Sequence, residues 1–66
     1  MKNRVRELRK LKGLTQEQLA EVIGVSRQTI NAIEKEKFDP SLPTAFKMSK
    51  LFDLHIEDFF LFNEVE

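Results

Sequence analysis

An all-α chain of five short helices is the fold class these residues predict. Three observations carry it. Thr15 stands three residues before Gln18, the spacing of a capping box, and Leu19, Ala20 and Ile23 follow at helical intervals. Gly24, Val25 and Ser26 then supply a helix stop, an apolar plug and a fresh N-cap, after which Ile30 and Ile33 open a second helical phase. Ala45, Met48, Leu51 and Phe52 form a third stripe of the same period.

Taken in order, the first helix is expected from about Lys2 or Asn3 to Lys12, with Val5 and Leu8 on its inner face and Gly13 as its stop. Leu11 falls off that stripe and Leu14 continues the core contact. The second helix runs from Thr15 to Gly24. Ala20 is small enough to let a neighbouring helix cross closely, and Gly24 takes the left-handed cap without steric cost. Ser26 starts the third helix, which carries Arg27, Gln28, Thr29, Asn31, Ala32 and Lys35 away from its buried Ile30 and Ile33. Lys35 to Pro40 reads as a loop, because the residue before a proline avoids helix. Ser41 caps a fourth helix that tolerates Pro43 in its first turn and ends near Phe52; Thr44 is the alternative cap. Phe46 belongs on or at the edge of its buried face. Ile56 to Phe60 reads as the last helix, with Leu54, Ile56 and Phe59 inward.

The tail departs from this pattern. Leu61, Phe62, Glu64 and Val65 alternate with a period of two, which is strand-like. Phe60, Leu61, Phe62 and Val65 also exceed what so small a core needs. Two readings stand: the tail makes a homodimer contact through Phe60, Phe62 and Val65, as a strand pairing with its mate, or it folds back over its own core.

Size and composition narrow the function. Sixty-six residues, 1–66, make one domain with a small core. The chain has no Cys, so no disulfide or thiolate metal site forms. The N-terminus MKNRVRELRKLK lacks the apolar stretch of a secretory segment, and the longest apolar run, Phe59 to Phe62, is too short for a bilayer. A cytoplasmic protein is expected. The net charge of zero averages two unlike halves: residues 1–37 hold nine Lys/Arg and five Asp/Glu (net +4), and residues 38–66 hold two and six (net −4). Field depends on where charge sits more than on its total, so the basic half remains compatible with nucleic acid.

Two helices joined by a short Gly-containing turn are the helix-turn-helix pattern. Its second helix meets base edges with its first turn, where Arg27 and Gln28 fall. Arg pairs guanine through two donors, and Gln or Asn pairs adenine. Arg27, Gln28 and Asn31 are therefore the expected base contacts. A solvated helix face is the bland alternative for these residues taken singly; the register of Thr15, Ala20, Gly24, Val25, Ser26, Ile30 and Ile33 tips the balance to DNA. The basic run Lys2, Arg4, Arg6, Arg9, Lys10 and Lys12 is expected mainly as a solvated face, with one or two members near phosphate.

The run RELRKLKGLTQEQLAEVIGVSRQTINAIEKEKFDPSLPTAFKMSKLFDLHIEDFF, roughly residues 4–60, resembles the phage-repressor and Cro-type helix-turn-helix regulators, also called the xenobiotic-response-element family. The resemblance implies a compact five-helix, repressor-like DNA-binding domain with the third helix as reader. It implies phosphate contacts from Gln16, Lys35 and Lys37, base contacts from Arg27 and Gln28, and a place near bases or backbone for Asn31; Thr29 is a further phosphate candidate on the third helix. It also implies a partly buried salt bridge between Arg9 and Glu34, which assigns Arg9 to structure. Ala32 departs from relatives that place a long polar side chain there; it offers at most a methyl contact to thymine.

The function these features imply is a sequence-specific transcriptional regulator, a repressor by family precedent. It would bind a palindromic double-stranded operator as a homodimer, with half-sites roughly 34 Å apart. No cofactor, metal or small-molecule ligand is expected. His55 is the sole His, with Asp53, Glu57 and Asp58 around it, but no Ser or Cys pairs with it for catalysis, so no enzyme is expected. The rival class is a protein-interaction helix-turn-helix module or an antitoxin-like partner-binding protein. Large exposed apolar residues on the third helix would mark it, and that helix offers only Ala32.

Overall fold

In the computed structural model, which describes residues 1–62, the elements run β1 (Lys2–Asn3), α1 (Val5–Leu11), α2 (Gln16–Ile23), α3 (Arg27–Glu34), α4 (Leu42–Phe52), α5 (Ile56–Phe59) and β2 (Phe60–Leu61). Local side chains set the helix starts. The Thr15 hydroxyl accepts from the Gln18 N–H at 3.1 Å and the Gln18 Oε1 accepts from the Thr15 N–H at 2.9 Å, a complete capping box. Ser26 caps α3 through the Thr29 N–H, and Ser41 caps α4 through the Thr44 N–H, with Pro43 in the first turn.

The helix ends share one device. After α2, Gly24 adopts φ 87° and Val25 N–H reaches back to the Ala20 carbonyl at 3.0 Å. After α3, Glu36 takes φ 63° and Lys37 N–H reaches the Ala32 carbonyl at 3.0 Å. After α4, Asp53 takes φ 56° and Leu54 N–H reaches the Ser49 carbonyl at 3.2 Å. Each is a left-handed turn that satisfies the last carbonyls of its helix. Glycine suits the first; a carboxylate residue occupies the other two.

The core gathers Val5, Leu8, Leu19, Ala20, Ile23, Ile30, Ile33, Ala45, Met48, Phe52, Phe59 and Phe60, with Leu14, Val25, Leu51, Leu54 and Ile56 packed around it. The buried faces of the helices follow their apolar spacing, with one correction: Phe46, expected on or at the edge of the buried face of α4, is exposed, because that helix turns Ala45, Met48 and Phe52 inward. Leu11 is exposed as well. Phe59 is fully buried at the centre of an aromatic cluster: its ring meets Phe52 edge-on at 5.4 Å and Phe60 at 4.9 Å.

Three expectations are corrected at the chain's ends. The first helix begins at Val5, not at Lys2 or Asn3, because Lys2 and Asn3 pair antiparallel with Leu61 and Phe60. Asn3 then starts the helix from outside: its Oδ1 accepts from the Val5 N–H at 3.1 Å, and its Nδ2 donates to the Ile33 carbonyl at 2.8 Å. The last helix stops at Phe59, and Phe60 opens β2. The strand partner of Phe60 and Leu61 is therefore this chain's own N-terminus. Phe60, expected at a dimer contact, is instead 7% exposed and belongs to the core, since burying its ring beside Phe59 removes it from the surface. Phe62 is 70% exposed. Val65 lies outside the described residues.

Candidate nucleic-acid interface

The candidate interface is built on α3, an eight-residue helix with two sharply different sides. Ile30 and Ile33 are fully buried, while Arg27 and Gln28 are exposed and Asn31 and Ala32 half-exposed. Arg27, Gln28, Asn31, Ala32, Lys35 and Lys37 line one shallow concavity. The Glu36 turn brings Lys37 back alongside the end of α3, which is why two lysines from beyond the helix share its face. All of those side chains except Ala32 carry hydrogen-bond donors, and Ala32 lies among them as the apolar member.

A second concavity runs beside the first and is lined by Arg6, Arg9, Gln16, Asn31, Glu34 and Lys35. Its floor is an ion pair. Arg9 Nε donates to Glu34 Oε2 at 2.7 Å and Arg9 Nη2 to Glu34 Oε1 at 3.2 Å, while Nη1 donates to the Leu14 carbonyl at 2.8 Å. The side chains are 10% and 3% exposed, so α1 is tied to α3 through a desolvated pair with its hydrogen bonds filled. Gln16, the first residue of α2, donates from Nε2 to Glu34 Oε1 at 3.1 Å. Asn31 Nδ2 donates to Gln16 Oε1 at 3.3 Å. Among the described residues no buried side-chain nitrogen or oxygen lacks a partner.

The residues expected from sequence thus fall in two groups. Arg27, Gln28, Asn31, Lys35 and Lys37 come together on one face. Gln16 joins them through Asn31. Thr29 is half-buried, and its hydroxyl lies 2.9 Å from Ser26 Oγ, so it is engaged in the helix cap. Arg6 has nothing in sequence to set it apart from the basic run of α1, yet it lines the same concavity as Gln16 and Lys35. Arg4 by contrast pairs with Glu7 at 2.8 Å, whose carboxyl is held below the usual range by that hydrogen bond and by the guanidinium charge. His55 stands at the start of α5 without a side-chain cap bond, and the described residues hold no cluster of His and acidic groups arranged for a metal ion. No helix among them is long and apolar enough to cross a membrane.

A helix-turn-helix family model matches residues 5–59. The chain is 56% identical, over all 66 residues and the relative's full length, to the uncharacterized HTH-type transcriptional regulator MJ0272 of Methanocaldococcus jannaschii. The chain belongs to the Cro/C1-type helix-turn-helix transcriptional regulators. The uncharacterized HTH-type transcriptional regulator YgzD of Bacillus subtilis is 50% identical, over 97% of each chain. Among solved structures, the restriction-modification controller protein C.AhdI of Aeromonas hydrophila superposes with a TM-score of 0.73 at 34% identity, covering 83% of both chains. The N-terminal DNA-binding domain of SinR from Bacillus subtilis superposes with a TM-score of 0.76 at 30% identity, covering 96% of this chain and 91% of that one. This transcriptional regulator binds DNA through its helix-turn-helix domain.

Proposed function

We propose that this regulator reads a specific duplex by laying α3 in the major groove, as a homodimer on a palindromic operator, and that it represses by occupying promoter DNA. The observation that carries the reading is the single concave face on which Arg27, Gln28, Asn31, Lys35 and Lys37 converge opposite the buried Ile30 and Ile33. Arg27 and Gln28 sit in the first turn, the part of such a helix that reaches base edges. Arg27 suits guanine, Gln28 and Asn31 suit adenine, and the Ala32 methyl suits thymine. Gln16 at the N-terminus of α2, with Lys35, Lys37 and Arg6 around it, suits phosphate. Thr29 keeps a smaller part there, since its hydroxyl already serves the α3 cap.

Exposed Phe62 beside exposed Leu61 supports self-association through the C-terminal edge. The basic half of the chain suits a nucleic-acid partner, and the lack of Cys suits the cytoplasm. Nothing in the site calls for catalysis, and repression follows from resemblance to phage repressors rather than from any side chain.

Selection from a randomised duplex pool at moderate salt tests the reading. Enrichment of a palindrome with half-sites roughly 34 Å apart is expected. Sedimentation at micromolar concentration should give a dimer mass for the wild type and a monomer mass for Phe62→Asp, with helix content unchanged. A wild-type monomer removes the dimer. No enriched sequence favours the second reading, a protein-interaction module. Leu42 and Phe46, exposed four residues apart on α4, are the residues that support it.

A further inference from the structure

The hydrogen bonds between α1, α2 and α3 have a direction. Arg9 only donates, and the Glu34 carboxylate only accepts. Glu34 Oε1 therefore requires a donor from Gln16, and Gln16 meets it with Nε2 at 3.1 Å. That choice turns Gln16 Oε1 toward α3, where it accepts from Asn31 Nδ2 at 3.3 Å. One N–H of Asn31 is thereby engaged inward. Its Oδ1 and its second N–H are left for the exposed face it shares with Arg27 and Gln28. An acceptor beside a donor is the complement of the adenine N6 and N7 edge.

Resting on the reading of α3 as the base-contacting helix, we propose that Glu34, acting through Gln16, is a specificity-determining positioning residue: it sets the amide of Asn31 so that this side chain selects adenine. Both amides could otherwise turn over by half a rotation at little steric cost, because their oxygen and nitrogen are nearly the same size. The reversed relay would have Gln16 donate to Asn31 Oδ1. Asn31 would then present two N–H groups, the complement of the guanine N7 and O6 acceptors. Neither Glu34 nor Gln16 needs to touch a base for this. The negative charge buried against Arg9 decides which way the relay runs, and the desolvated ion pair holds Glu34 in place.

The test uses the selected operator and four duplexes that differ only at the position flattened by Asn31→Ala. The wild type should prefer adenine over guanine there by at least about fivefold. Gln16→Met keeps the length and helix propensity of the side chain and leaves the Arg9–Glu34 pair untouched. It should bring that preference to within about twofold, because the Asn31 amide is then free to turn. If Gln16 also bonds phosphate, its replacement weakens all four duplexes alike, and the effect cancels from the ratio. Glu34→Gln places an N–H where the relay needs an acceptor and should move the preference toward guanine; if that variant fails to fold, Gln16→Met still decides. An undiminished adenine preference in Gln16→Met overturns the relay, as does a wild-type preference for another base at that position. If Asn31→Ala flattens no position while the wild type still selects a site, the relay falls and the DNA reading stands. If the wild type selects nothing, the DNA reading itself fails.

Discussion

Between α1 and α3 the fastening is polar: Arg9, Glu34, Gln16 and Asn31 form a directed chain of hydrogen bonds across three helices. Among α4, α5 and β2 it is apolar: Phe59 meets Phe52 edge-on and Phe60 at a tilt, with the β1–β2 ladder beside them. Apolar burial is non-directional and stabilises whatever brings rings together. A hydrogen-bonded relay adds less net stability but fixes orientation, because each donor must find its acceptor. The molecule places the first kind of contact away from the exposed face of α3 and the second kind directly behind it. On the proposed reading, the aromatic region contributes stability alone, and the polar region contributes both stability and the orientation of the side chains of α3.

The contrast breaks most severely at the aromatic cluster. Phe59→Ala empties the centre of the core and should cost about 3–5 kcal/mol, which in a domain of this size leaves little folded protein. Urea titration followed by helix content measures it. A loss below about 1 kcal/mol would mean that the cluster closes over the gap. Glu34→Ala tests the polar region. It leaves the Arg9 charge buried against one remaining carbonyl and should cost about 3 kcal/mol in the same titration. A near-zero cost would show that Arg9 swings out to water.

Helix ends offer a smaller, signed comparison. Gly24→Ala forces a Cβ into a left-handed backbone and should destabilise by about 1 kcal/mol. The new methyl itself has room, its nearest neighbour being Lys47 Nζ at 3.9 Å. Glu36→Gly relieves the same conformation at the end of α3 and should stabilise by up to about 1 kcal/mol. Equal signs for the two would contradict the shared left-handed turn.

Local chemistry made most of the fold legible. Thr15 with Gln18, Gly24, Ser26 and Ser41 cap their helices within a few residues of sequence, so spacing alone reveals them. The buried stripes follow from period in the same way. What escaped was non-local. Asn3 begins α1 only because Phe60 lies opposite it, 57 positions along the chain, and Phe60 is buried only because that pairing folds the tail inward. Neither fact has a signature in a local window. Within the site, the side chains that share the exposed face of α3 were readable from its helical period. The bond from Asn31 to Gln16 was not, since it joins side chains of two helices 15 positions apart and depends on how those helices pack. Arg6 was hidden among its basic neighbours until the direction of its face was known.

One paired measurement bears on the division between stability and reading most directly. The double variant Arg27→Ala, Gln28→Ala alters only exposed side chains of α3. It should melt at the wild-type temperature and yet lose the sequence enrichment that the wild type shows in selection from a randomised duplex pool. Each side chain removed should cost about 1–3 kcal/mol of base discrimination. A variant that melts normally and still enriches the wild-type sequence would contradict the account, because the exposed face of α3 would then not be what reads the DNA.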